Sequence, residues 1–127
     1  MASGVKITGF TGQEAVDFFE LAFRKSVMDF LRFVVQLTPV DTGRAKGNWI
    51  TALQPTDKTL DINDKSGSQT ISKGSALISA DKTFHLFVMN NLNYVPILNT
   101  GTSTQAAAGF IERAQDAAFR PLQLLSR

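Results

Sequence analysis

The stretch Asn90-Asn91-Leu92-Asn93-Tyr94-Val95-Pro96-Ile97-Leu98-Asn99-Thr100-Gly101-Thr102-Ser103-Thr104-Gln105-Ala106-Ala107-Ala108-Gly109-Phe110 decides how the chain is read. An apolar run, Thr83 to Met89, leads into it, and an amphipathic run leads out from Phe110. Between them stand Gly101 and Gly109, Pro96 and a row of small polar residues. No continuous helix or strand runs through such a composition, so the stretch is a shaped connection between a strand and a helix. It holds no obvious catalytic group, which points to a protein that works by shape and assembly.

Upstream, Thr83-Phe84-His85-Leu86-Phe87-Val88-Met89 predicts a strand over 83–90. Phe84, Leu86 and Val88 alternate with Phe87 and Met89, so both faces are apolar and both are expected to be covered. Thr70 to Ala80 predicts a short helix, weakened or interrupted at Gly74. Residues 54–69, rich in Pro, Thr, Asp, Lys, Gly and Ser, predict an exposed loop or β-hairpin arm, with mobility in the free protein and preferential proteolysis at 55–70. A second strand is expected over 48–53, anchored by Trp49, and a C-terminal helix over 110–125. In that helix Ile111, Ala114, Ala118, Leu122 and Leu125 recur at helical spacing. Alanines 114, 117 and 118 permit close approach to a neighbour, and Pro121 is expected to kink or end it.

The longest element is predicted over 11–38. Thr11 and Glu14 fit a capping box, and Pro39 supplies the stop. Such a helix is about 40 Å long. Val16, Phe19, Phe23, Val27, Phe30, Val34 and Leu37 form one apolar stripe, the expected core face. Leu21, Met28 and Val35, with Leu31 nearby, form a second line among charged residues. That line reads either as scattered exposed apolar residues or as a subunit contact.

With 127 residues the chain fits one domain, 1–127, preceded by an N-terminal arm at 1–10. The expected fold is α+β, with the long N-terminal helix and the C-terminal helix packed on a small, mainly antiparallel sheet. There is no cysteine and one histidine, which excludes disulfides, thiolate metal sites and multi-histidine sites. No cofactor motif is present. Thirteen basic against eleven acidic residues leave a net charge of +2, too balanced to point to nucleic acid or an anionic membrane. A basic surface from Lys6, Arg44, Lys46, Lys58, Lys65 and Lys73 is the weaker, DNA-binding alternative. No secretory signal and no stretch of about twenty apolar residues is seen, so no membrane partner and a cytoplasmic site of synthesis are expected. His85 is the one candidate general base, and no nucleophile motif accompanies it; enzymatic activity is not expected.

Two groups of residues carry a resemblance. Thr38-Pro39-Val40-Asp41-Thr42-Gly43-Arg44 with Gly47 and Trp49 resembles a TPVDTGR…G-x-W signature. Asn90, Asn91 and Tyr94, followed by Gly101, Ser103, Gln105, Ala108 and Gly109, resemble an NN-x-x-Y…EYG-x-S-x-Q-A-P-A-G signature. Both are similar to the tail-completion, or neck, proteins of long-tailed bacteriophages, also called head–tail joining proteins or minor tail components. The chain departs from that pattern at Asn93, at Asn99-Thr100, where an acid is usual, and at Ala107, where a proline is usual. The resemblance implies a structural virion protein, assembled in the host cytoplasm. It implies a homo-oligomer, a hexameric ring, that completes the tail and joins it to the head connector while DNA passes through its lumen. Head connector or closure proteins and tail terminator or tail tube proteins would be its partners. A tail terminator capping the tube is the close alternative.

Overall fold

The structure is a computed structural model and describes residues 12–40, 43–102 and 108–125. It is α+β. In chain order the elements are α1 (Gly12–Leu37), α2 (Arg44–Gly47), β1 (Trp49–Ala52), α3 (Ser68–Ala80), β2 (Phe87–Asn90), α4 (Val95–Ile97) and α5 (Phe110–Leu125). β1 and β2 pair antiparallel, with Trp49 opposite Asn90 and Ala52 opposite Phe87. The expected arm at 1–10 and the capping residue Thr11 lie outside the described residues.

α1 is the spine. α3 runs antiparallel along one side: Gly67 meets Val35, Gly74 meets Leu31, and the Asp81 carbonyl accepts from Arg24. α5 runs antiparallel along another: Phe119 meets Phe30, and Leu122 lies beside Phe19 and Phe23. Flanked in this way, the C-terminal half of α1 buries Ser26, Val27, Leu31, Val34 and Val35. Ile78, Phe110, Ala114 and Ala118 complete the core from α3 and α5. Burying a side chain the size of Leu31 or Ile78 stabilises the fold by about 1.5–3 kcal/mol each.

This packing revises the two stripes. Leu31 and Val35 are fully buried within the chain, because α3 covers the face that reads as a subunit contact; Leu21 is 67% exposed and Met28 half-buried. Val16 and Leu37, expected in the core, are exposed: Val16 lies in the less covered first half of α1, and Leu37 faces outward beside the buried Val34, Val35 and Thr38.

Local chemistry accounts for the other departures. Residues 83–86 are not strand. The Asp81 carboxylate accepts the Thr83 N–H (3.0 Å), the Thr83 hydroxyl (2.6 Å) and the Phe84 N–H (3.1 Å), a side-chain turn that competes with sheet pairing. These bonds, the Thr83 hydroxyl first, hold the Asp81 carboxyl below its usual range. Phe84 is left at φ 57°, and Phe84 and Phe87 are exposed, so the strand is not covered on both faces. β1 starts one residue later than expected because Asn48 faces inward as a clamp, and Leu53 is exposed beyond its end.

α3 begins at Ser68 and runs unbroken through Gly74. The glycine is there for close approach: a Cβ would stand 2.3 Å from Leu31 Cδ2 and 2.7 Å from Thr51 Oγ1. α5 likewise continues through Pro121 to Leu125. Ala117, whose carbonyl loses the proline's missing N–H, is exposed, where water can satisfy it. Ala114 and Ala118 are buried.

Gly74→Val should therefore overpack the α1–α3 seam despite the usual gain in helix propensity. Urea unfolding should show a loss of about 1–3 kcal/mol with an unchanged m value.

Candidate assembly site

The two stretches that carry the resemblance meet at the C-terminal end of α1. The last carbonyls of any helix lack intrahelical partners. Here the Lys46 ammonium donates to the Val35 and Gln36 carbonyls, at 3.0 Å each. Thr38 closes the same end: its hydroxyl donates to the Val34 carbonyl (2.5 Å) and accepts from the Trp49 indole N–H (2.9 Å). Lys46 is 7% exposed, which removes it from the basic surface considered above; Lys58, Lys65 and Lys73 are exposed. Burial pushes the Lys46 pKa down, and the Asp64 carboxylate opposes that shift. Lys6 lies outside the described residues.

Gly43 sits at φ 84°, in the left-handed region that favours glycine. Its carbonyl accepts from Gly47 (2.9 Å) and Asp64 (3.0 Å), and a Cβ there would meet the Asp64 and Lys65 backbone within 2.8 Å. Gly47 is buried against Ile62. Arg44 is exposed. Asp41 and Thr42 lie outside the described residues.

From the second stretch, Asn90 donates to the Ala45 carbonyl (2.8 Å) and accepts from the Leu92 N–H (3.2 Å). Leu92 and Val95 then pack with Ala45 and Trp49 in one cluster, with Tyr94 against its edge. Gly101 (φ 89°) breaks the wide π-type turn over Leu98–Thr102 and lies beneath Ala108. Gly109 donates to the Asn99 carbonyl (2.7 Å) and starts α5 by accepting from Arg113 (2.9 Å). Ser103 and Gln105 lie outside the described residues.

Of the two forms expected for 54–69, the loop is the one found: up to the start of α3 at Ser68 it is a largely exposed strap tied to these two stretches, with no strand in it. Asn91 donates to the Thr56 (2.9 Å) and Lys58 (2.8 Å) carbonyls. Asn48, fully buried, accepts from the Leu60 N–H (2.6 Å) and donates to the Leu60 (3.0 Å) and Arg44 (2.8 Å) carbonyls. The strap then passes Gly47 at Ile62 and Gly43 at Asp64. Burial would raise the Asp64 carboxyl, but bonds from the Thr70 N–H (2.9 Å) and hydroxyl (2.8 Å), with the Gly67 and Gln69 N–H groups, outweigh it and hold its pKa below the usual range. Asp64 thereby caps the start of α3 from outside the helix.

Sequence reasoning missed Asn48, Lys46, Asp64 and Asn99. Asn99 reads as a departure from the resembled pattern, yet it caps α5. Its side-chain oxygen accepts from the Ile111 N–H (3.0 Å), and its amide donates to both Glu112 oxygens (3.0 and 2.9 Å). That amide holds the Glu112 carboxyl below its usual range. The available signal was asparagine beside each element boundary.

The arrangement is a scaffold. The amides of Asn48, Asn90, Asn91 and Asn99 all bind the chain's own backbone or side chains. His85 is exposed. Among the described residues no group of three or more His, Asp or Glu side chains is placed to hold a metal ion, and no helix is long and apolar enough to cross a membrane. Outward from the scaffold stand Ile97, 57% exposed, with Pro96 and Arg44. The chain matches no family model, no curated protein and no solved structure.

Asn48→Ala should destabilise by about 2–4 kcal/mol, since it strands buried backbone groups. Limited proteolysis should then cut at 54–63, where the wild type resists. Asp64→Asn should cost about 1–2 kcal/mol at pH 7. A carboxyl with a depressed folded pKa stabilises above its ordinary value, 3.8, and that stability is lost as pH falls through the lower folded value. The difference between wild type and variant in chemical unfolding should accordingly shrink below that pH.

Proposed function

We propose that this chain is a structural protein of a phage neck. Several copies form a ring that completes the tail, joins it to the head connector and leaves a channel for DNA. The observation that carries the reading is that the described parts of the two stretches with the resemblance pack on each other near the end of α1, joined by the Asn90–Ala45 bond, the Trp49–Asn90 register and the cluster of Leu92 and Val95 with Ala45 and Trp49. Residues distant in sequence thus build one scaffold, whose polar groups serve geometry. A second support is exposed apolar surface, with Val16, Phe18, Leu21, Phe84, Phe87 and Ile97 all more than a third exposed. Patches of this kind mark surfaces that other chains cover.

The balanced charge suits a lumen through which DNA must slide, since a strongly basic channel would hold the phosphate backbone. The tail-terminator reading shares every one of these supports and differs only in where the ring sits.

Imaging and mass spectrometry of purified particles test the proposal. The expected result is the protein present at the head–tail junction, with filled heads and separate tails accumulating when its gene is deleted. Particles that lack the protein, or a deletion that leaves them intact, would refute it; a ring at the tail end of the tube without connector contact would select the terminator reading.

A further inference from the structure

The outer face of α1 is segregated by charge. From Gly12 to Phe23 the helix carries Glu14, Asp17 and Glu20 and no basic residue. From Arg24 to Arg32 it carries Arg24, Lys25 and Arg32 against Asp29 alone. Glu14, Asp17, Leu21, Lys25, Met28 and Arg32 follow one another at steps of three and four and therefore share a face, with Phe18, four residues after Glu14, at its edge. On its first half Glu14, Asp17, Phe18 and Leu21 are exposed. Asp17 bonds within the helix to the neutral Gln13 (2.9 Å), which leaves its charge in place.

The second half borders an open groove of about 560 Å³ between α1 and α3, reaching Ser79. Leu21 and Met28 give it apolar surface. Its cations outnumber its carboxylates: Lys25 (2.6 Å) and Arg32 both bind the single Asp29, and Arg24 donates to the Asp81 carbonyl, with Glu20 at 4.0 Å.

We propose that this groove is occupied by a second copy of the same chain, which lays the acidic first half of its α1 over Lys25, Met28 and Arg32. Glu14 and Asp17 of one copy face Lys25 and Arg32 of the other, and Phe18 and Leu21 cover Met28. Charge complementarity selects this occupant: the groove needs an acidic helix with apolar residues between its carboxylates, and the exposed half of α1 has that composition. The acidic and basic halves lie on one face of α1 and share Leu21, so the contact is reciprocal: two copies pair with their α1 helices antiparallel, each covering the other's groove. The contact stands on the charge pattern and is independent of the ring reading.

Sedimentation velocity of the full chain at about 0.1 M salt tests it, since surface charges are felt over ~10 Å there. Four samples are compared: wild type, the Glu14→Lys/Asp17→Lys double variant, the Lys25→Glu/Arg32→Glu double variant, and an equimolar mixture of the two variants. Wild type should self-associate, each variant alone should do so at least about tenfold more weakly, and the mixture should recover mixed complexes. Leu21→Ser, which leaves every charge in place, should also weaken association, and circular dichroism should show each variant folded. A monomeric wild type overturns the contact. Association unchanged in both charge variants, or a mixture that fails to recover, also overturns it and leaves the ring reading to be judged from particles.

Discussion

The unpaired carbonyls at the C-terminal end of α1 are the constraint on which the rest of the structure depends. A helix that ends in the interior cannot leave them to water. Lys46 and Thr38 satisfy them, and in doing so fold the chain back under the helix. Once Lys46 is held there, α2 has one position, β1 begins beside the helix end, and Trp49 reaches the Thr38 hydroxyl. A buried ammonium is costly in isolation. Here two carbonyls, the negative end of the α1 dipole and the field of Asp64 offset that cost.

Around this anchor, side-chain amides and carboxylates replace much of what regular backbone pairing does in larger sheets. The strands are four residues each, too short to organise a domain of this size alone. Asn48 pairs with Leu60 as a neighbouring strand would, Asn91 holds Thr56 and Lys58, and Asn90 joins α2 to the sheet. Asp64, Asp81 and Asn99 each shape the boundary of a helix or the turn beside it. The depressed carboxyl pKa values of Asp64, Asp81 and the Asn99-bound Glu112 express one fact: polar groups are bound where the backbone must bend.

The two halves of α1 differ for the same reason. Its second half is enclosed by α3, α5 and the sheet, while its first half meets Leu122 of α5 and Phe84 on one side and leaves Val16, Phe18 and Leu21 exposed. At that end Phe84 is held at positive φ, edge-on to Phe23 and under the Arg24 guanidinium. A large aromatic kept in such a conformation is strained, and strain of this type collects where a surface is used.

By itself the sequence determined the long helix and its stop at Pro39, the C-terminal helix with its alanine face, the presence of two strands, though not the late start of the second at Phe87, and the broken connection between 90 and 110. Each of these follows from local periodicity, β-branched and aromatic runs, or proline and glycine. Tertiary structure alone decided which stripe of α1 is buried. Leu31 and Val35 look like surface when charged neighbours flank them, and only the arrival of α3, admitted by Gly74, makes them core. It also decided that the expected loop or arm at 54–69 is a loop tied down as a strap, because the partners of Thr56, Lys58 and Leu60 lie up to 35 residues away. Asn99 is the sharpest case: in the sequence it is only a departure from the resembled pattern, and its action as the cap of α5 exists only when residues 12 positions apart are brought to 3.0 Å. Hydrogen bonds between distant residues leave no periodic trace in the chain, and for that reason the clamps were invisible until the fold assembled them.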